Sequence, residues 1–406
     1  MNKYDIAIIG GGAAGIMAAI TAGEKCRNIV LIERNPELGK KILATGNGRC
    51  NLTNSCIGPE KYHGANTNFI QTVLASFNQN KTKEFFENLG VILKEEDNGR
   101  IFPRSNQAES IVNALLDELR LKKINTKINS LVRKISKNQL WNITLENGEK
   151  ISSEKLIIAT GGKSSCQYGS SGDGYYWASA LGHKIVDTYP ALTPVETSED
   201  WIKEAQGIKV EGMVSTKING EVAYKKTGDI LFTHFGISGP AAMAQARFIA
   251  PKIGDKVKIN IDLFPNETEN NFDNQLKKII ENNGAKSIKN CIGGIVPNKL
   301  ANIILKKLDL DPDKKSAEIS KAMRLQIVKF LKNIEFTPAK IRPFKESQVT
   351  AGGIDISKID PLSMESKIVP NLYFAGEIVD VDGESGGYNL QWAWSSGHLA
   401  GEASSK

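Results

Sequence analysis

The chain has 406 residues, 40% hydrophobic and 24% charged, and a formal net charge of +7. That length predicts two or three domains at roughly 150 residues each, and the composition allows a full buried core. No apolar run approaches the roughly 18 to 20 residues that a membrane-spanning helix needs. Five cysteines (Cys26, Cys50, Cys56, Cys166 and Cys291) are scattered without a Cys-x-x-Cys pair. This argues against a disulfide framework, a zinc site and a dithiol redox motif, so no metal is expected. The first apolar run, Ile6–Ile9, enters a glycine loop rather than a cleavage site, and a cytoplasmic location is expected.

The opening reads as strand Tyr4–Ile9, a glycine turn, helix Ala13–Ala22 and a second strand Asn28–Glu33. Ile70–Leu89 and Ser110–Leu119 carry helical spacing, with a strand end or turn at Gly99–Pro103 between them. Ile128–Ile135 and Trp141–Leu145 alternate, and Glu146-Asn147-Gly148 follows as a turn signal, predicting a small meander. Lys155–Ala159 is a further buried strand, followed by Thr160-Gly161-Gly162.

After Pro190 the pattern changes. Residues 191–267 carry short β-like runs that suggest a small barrel, and residues 268–345 carry amphipathic helical spacing. Between Asn271 and Lys345 there are 16 Lys or Arg against 7 Asp or Glu, so the positive excess lies in this stretch. Such a concentration suits either a solvated helical surface or a polyanionic partner. From Leu372 a buried strand returns, followed by Gly376-Glu377, a glycine-rich loop and a closing helix from Leu390 to Ala400. The expected organisation is a first domain of residues 1–190 plus 346–406, interrupted by an insert of residues 191–345.

Gly10-Gly11-Gly12-Ala13-Ala14-Gly15 is a G-x-G-x-x-G turn between a strand and a helix. Gly10 permits the turn, Gly12 admits a pyrophosphate and Gly15 allows close helix packing, while the helix N-terminus attracts phosphate. Glu33 closes the next strand, where a carboxylate accepts ribose hydroxyls, and Arg34 follows it. Only one such fingerprint occurs, and Leu372–Glu377 resembles the second contact of FAD domains, although an Asp is usual where Glu377 stands. Asp380 is a candidate to share that contact. The helix opening at Tyr388-Asn389-Leu390 is placed to meet the flavin edge with its positive end.

The loop Gly39–Asn51 is basic and glycine-rich, suited to a diphosphate or an anionic ring. Cys50 within it has no second cysteine or base and reads as packing rather than as a nucleophile. Gly169–Gly174 reads as a helix N-terminus capped by Ser and Asp. In the insert, Thr233–Pro240 holds His234, one of four histidines, which is either a proton donor or a structural residue.

The stretches GGGAAGIMAA, GKKILATGNGRCNLTN, RIFPRS, ATGGKSS, GSSGDGYYWASALGH, LFTHFGISGP, VTAGGI and MESKIVPNLYFAGEIVDVDGESGGYNLQWAWSSG resemble one family of bacterial flavoproteins. It includes aminoacetone oxidase-like enzymes, bile-acid dehydro-intermediate reductases and ribosomal RNA dihydrouridine synthases. The resemblance runs from Gly10 to Gly397 and implies an α/β fold. That fold is a two-dinucleotide-binding, Rossmann-like FAD domain with an inserted β-barrel and helical part. It implies FAD contacts from Gly10, Gly12, Ala13, Ala14, Gly15, Glu33, Arg34, Lys41, Gly46, Gly48, Arg49, Cys50 and Asn51. Further contacts are implied from Val132, Gly161, Gly376, Glu377, Asp380, Gly387, Tyr388, Asn389 and Leu390.

The activity so implied is reduction of an activated carbon–carbon double bond. Hydride goes to the β carbon of an enone-like system, and an acid protonates its neighbour. Uridine in 23S ribosomal RNA is the favoured substrate, docked through the basic insert. The alternatives are a small-molecule amine oxidase or enone reductase, and a non-catalytic, FAD-containing RNA-binding protein. The electron donor is expected to be NADH or NADPH bound transiently, or a separate reductase. Arg49, Asn389 and His234 are the catalytic candidates.

Overall fold

A computed structural model describes residues 2–64 and 66–406. The chain divides into two compact units, the first ending at Tyr189 and resuming over Gln348–Lys406, the second spanning Pro190–Ser347.

The first unit is organised by a seven-stranded sheet. Strand β1 (Asn2–Ile9) lies between β2 (Ile29–Ile32) and the strand Lys150–Ile158, parallel to both. Asn125–Lys127 extends the parallel run beyond β2. Lys150–Ile158 has two neighbours on its other side. Its opening residues pair antiparallel with Trp141–Leu145, and its last three pair parallel with Leu372–Phe374. The same strand thus joins the meander and, on its side away from β1, takes up the strand from the end of the chain.

Helix α1 (Ala13–Ala22) is buried from Ala14 to Ala22. A helix covered on every side needs no polar face, which is why its sequence is apolar all round. Its main partner is the closing helix Tyr388–Ser404. A Cβ on Gly397 would stand 2.4 Å from the Ala14 carbonyl oxygen, and one on Gly401 2.4 Å from that of Ala18. These two glycines, one helical turn apart, let the backbones meet.

Several predicted bounds move. The single helical stretch expected over Ile70–Leu89 is two helices, Thr67–Ser76 and Gln79–Asn88. Asn78 divides them, because its side chain accepts from the backbone N–H groups of Asn80 and Lys81; an N-cap outcompetes helix continuation there. The helix at Asp173–Ala180 starts from Gly172 in the left-handed region with no side-chain cap. The expected capping by Ser and Asp is therefore overturned. Ser171 and Asp173 bond Arg34 instead.

The second unit holds a seven-stranded antiparallel sheet. Its strands are Val195–Thr197, Lys209–Ile218, Glu221–Phe232, Gly236–Ser238, Val257–Asp262, Ile334–Phe336 and Pro338–Ile341. Trp201, Phe232 and Phe336 pack in its core, with Trp201 and Phe336 centroids 5.3 Å apart. Helices Glu269–Asn282, Ile288–Gly293, Asn298–Lys307 and Lys321–Lys332 follow the predicted apolar stripe. Arg324 ties two of them together through both oxygens of Asp273, at 2.7 and 3.0 Å. No helix among the described residues is long and apolar enough to cross a membrane.

Candidate cofactor and active site

Three glycines at the end of β1 have three different surroundings. Gly10 (φ +108) lies so close to the next strand that a Cβ would meet the Ala159 carbonyl oxygen at 2.4 Å. A Cβ on Gly15 would stand 1.8 Å from the Gly10 oxygen, so this glycine is needed for α1 to pack on β1. At Gly12 a Cβ would meet nothing within 4 Å. That cradle opens at the N-terminus of α1, which has no side-chain cap and no acid in its first turn. Free N–H groups, a positive dipole end and an open glycine fit a pyrophosphate.

Glu33 is buried at the end of β2. One carboxylate oxygen accepts the Gly11 N–H at 2.7 Å. The other accepts both the backbone and side-chain N–H of Asn35 at 2.8 Å. The carboxylate is thereby fixed beside the glycine loop. Backbone bonds from Glu33 to Lys127 and from Ser130 to Glu33 bring the start of the meander alongside, and Val132 follows two residues later with its side chain buried.

The basic loop contributes a second wall. Gly39 N–H bonds the Gly11 carbonyl at 2.8 Å, joining the loop to the glycine turn. Lys41 Nζ lies 2.7 Å from Glu377, which also accepts the Thr350 N–H at 2.7 Å. Glu377 follows Gly376, whose left-handed backbone (φ +81) brings it within reach of α1; a Cβ there would lie 2.8 Å from that of Ala14. Gly376 is itself held from the closing helix. Its N–H bonds Ser396 Oγ at 2.9 Å and its carbonyl accepts from Trp392 Nε1 at 3.1 Å. Buried Asp380 lies on the same segment, its N–H bonded to Ile354. Gly161 (φ +71) completes the turn after the strand Lys150–Ile158.

Gly46, Asn47 and Gly48 take left-handed backbone in succession, and Cys50 does so after them. Cys50 is fully buried, and burial pushes its thiol up to about 12, with a Thr45 hydrogen bond acting in the opposite sense. An un-ionised, enclosed thiol is no nucleophile. Asn51 has its amide oxygen toward the Gly387 N–H and its nitrogen toward the Thr53 carbonyl, each at 3.2 Å. It thereby fixes the start of the closing helix, whose first turn is Tyr388, Asn389 and Leu390. The Tyr388 carbonyl accepts from Tyr62 at 2.9 Å, and Leu390 packs against the core.

The catalytic candidates are differently placed. Arg49 lies over the Phe102 ring at 4.1 Å and reaches both oxygens of Glu96, at 3.0 and 3.2 Å. Asn389 accepts from the Gly383 N–H at 2.7 Å and donates to the Gly383 and Glu384 carbonyls at 2.8 and 3.2 Å. Both side chains are engaged in holding loops. His234 belongs to the second unit, exposed in the turn between two strands. The glycines of its motif serve strand packing: a Cβ on Gly236 would lie 2.1 Å from the Val195 oxygen, and one on Gly239 2.6 Å from that of Asp229.

Hydrogen bonds from Lys94 and Arg49 hold the Glu96 carboxyl down at about 2, against an ordinary 4.5. A carboxyl depressed on folding adds stability above its unfolded value and loses it as pH falls toward the folded one. Denaturant midpoints of the wild type and Glu96→Gln should therefore differ at neutral pH. They should converge as pH falls from 4.5 to about 2.

Asn35, Thr350, Trp392 and Ser396 were not singled out from the sequence. Trp392 and Ser396 stand one helical turn apart, a spacing that puts them on one face; nothing local marks the other two.

A glycine-cradled helix end, closed by a second contact from the far end of the chain, defines a Rossmann-like FAD domain. The chain belongs to the family of the HI0933-like protein Rossmann domain, matched over residues 4–403, and is an FAD-dependent oxidoreductase. It is 33% identical over 410 residues to the 3-dehydro-bile acid delta(4,6)-reductase of Clostridium scindens, covering 100% of both chains. It is also 33% identical over 406 residues to the ribosomal RNA dihydrouridine synthase of Escherichia coli, covering 98% of this chain and 96% of that one. Among solved structures, a quinol-fumarate reductase with menaquinol shares the fold. Its TM-score is 0.51 at 17% identity, covering 100% of this chain and 71% of that one.

Proposed function

We propose that this oxidoreductase reduces a carbon–carbon double bond conjugated to a carbonyl, with uridine in 23S ribosomal RNA as its substrate and NADH or NADPH as donor. The observation that carries the chemistry is full-length similarity to two relatives whose names describe one kind of reaction. A 3-dehydro compound with 4,6 double bonds is a conjugated ketone, and dihydrouridine is uridine saturated beside its C4 carbonyl. Both are reductions of a double bond conjugated to a carbonyl.

When bound, FAD supplies two-electron hydride chemistry. Gly10–Gly15 and α1 hold its pyrophosphate, and Glu33 accepts its ribose hydroxyls. Lys41 with Glu377 and the start of the closing helix line the remainder. With only one dinucleotide fingerprint present, the nicotinamide donor binds transiently. For RNA, the support is a set of exposed cations on the helices of the second unit and the turns between them. Lys278, Lys286, Lys307, Lys315 and Lys329 make no ion pair among the described residues and would neutralise phosphates.

The decisive experiment compares dihydrouridine in 23S ribosomal RNA from cells with and without the gene. It then supplies purified protein, FAD and NADH or NADPH to unmodified RNA and, separately, to a 3-oxo-4,6-diene bile acid. Loss of one dihydrouridine on deletion, restored in vitro, supports the RNA reading. Unchanged RNA with turnover of the dienone assigns the small-molecule reading. Turnover of neither overturns the double-bond chemistry.

A further inference from the structure

Residues 164–172 follow the Gly161-Gly162 turn and contain one short helical turn, Cys166–Tyr168. Three of them hold left-handed backbone: Ser165 (φ 55), Gly169 (φ 104) and Gly172 (φ 83). At a non-glycine such as Ser165 this conformation is strained, and it persists only when surrounding groups hold it. The two residues directly after Glu33 hold the later part of this segment, from Tyr168 to Asp173.

Arg34 forms an ion pair with Asp173 and donates to Ser171 Oγ at 2.6 Å and to the Gly169 carbonyl at 3.3 Å. Asn35 Nδ2 donates to the Tyr168 carbonyl at 2.9 Å and to Glu33 Oε1 at 2.8 Å. One amide therefore joins the strap to the carboxylate read as the ribose acceptor. Asn35 also fills the space beside Gly169, where a Cβ would lie 2.4 Å from its Nδ2. At its other edge the strap rests on Gly161, with Ser170 Oγ 3.1 Å from where a Cβ there would be.

A segment seated between Gly161 and the Glu33 carboxylate borders the adenosine half of the cofactor site. We infer that Arg34, Asn35 and Asp173 form a latch that holds this strap against the adenosine half of FAD and sets the rate of cofactor exchange. The inference rests on the FAD reading above. Arg34 and Asp173 side chains are 27% and 39% exposed, so salt weakens the latch. The Gly11 N–H bond to Glu33 involves none of the latch residues.

The test measures FAD release from the holoprotein by the rise in flavin fluorescence on dilution. The variants are Arg34→Met, Asp173→Asn and the charge swap Arg34→Asp/Asp173→Arg. Either single variant is expected to release FAD roughly 10-fold faster, given several charge-assisted bonds lost together. The swap should recover much of that loss, and wild-type release should quicken as salt rises from about 0.05 to 0.5 M. Limited proteolysis should cut the strap sooner in the single variants. Release at the wild-type rate in both single variants overturns the latch while the FAD reading stands. Faster release that tracks a lowered apoprotein melting temperature, without recovery in the swap, also overturns it. Wild-type protein that retains no FAD on reconstitution overturns the FAD reading itself.

Discussion

Gly12→Val is expected to abolish FAD binding while leaving the melting temperature of the apoprotein unchanged, whereas Gly15→Ala lowers both. The two glycines belong to one fingerprint but face different neighbours. At Gly12 the backbone is extended (φ −85, ψ −170), which any residue adopts, and a Cβ meets no protein atom within 4 Å. The valine methyls would stand where the pyrophosphate approaches the helix end, so the loss falls on the ligand alone, at least ~100-fold in Kd. At Gly15 the added carbon would lie 1.8 Å from the Gly10 oxygen. That neighbour is backbone in a tight turn, and α1 must move off β1, at about 1–3 kcal/mol or more. Thermal melts with and without FAD separate the two effects. Equal destabilisation in both variants would contradict this division.

The second large effect is expected at Glu33. Replacement by alanine leaves the Gly11 N–H, 2.7 Å from the carboxylate, without its acceptor, along with two donors from Asn35. An orphaned buried donor costs about 1–3 kcal/mol, so the apoprotein should lose stability as well as FAD affinity. Glu33→Gln is not conservative here. A carboxylate accepts on both oxygens, while an amide accepts on one and would turn its NH2 toward either Gly11 or Asn35. The glutamine variant should therefore lose part of the stability and most of the FAD affinity, measurable by denaturant titration and calorimetry. A glutamine variant that binds FAD as tightly as wild type would remove Glu33 from the ribose contact.

Much of the first unit was legible because local signals and tertiary demands coincide. The strand–glycine–helix opening is fixed by neighbouring residues: an apolar run that can only be buried, glycines that alone permit the turn, and alanines that favour helix. The predicted bounds of α1, Ala13–Ala22, are those observed. Glu33 was legible for the same reason, since spacing along one βαβ unit places it. The division between Thr67–Ser76 and Gln79–Asn88 was missed although its signal, the Asn78 side chain, is local. Apolar periodicity continues across it and outweighed one capping residue.

By itself, then, the sequence determined the glycine turn, its acid, the return of a buried strand near the end of the chain and the family. Each depends on residues close together or on a long shared pattern. Only the tertiary structure decided which side chains are engaged. Ser171 and Asp173 look like helix caps in sequence, yet both turn to Arg34, more than 130 residues earlier. Arg49 and Asn389 read as flavin-facing candidates, yet one lies in a bidentate pair with Glu96 and the other bonds the Gly383–Glu384 backbone. A charged or amide group binds whichever complementary partner folding brings to it. That partner is chosen by strands meeting across the sheet, not by neighbours along the chain.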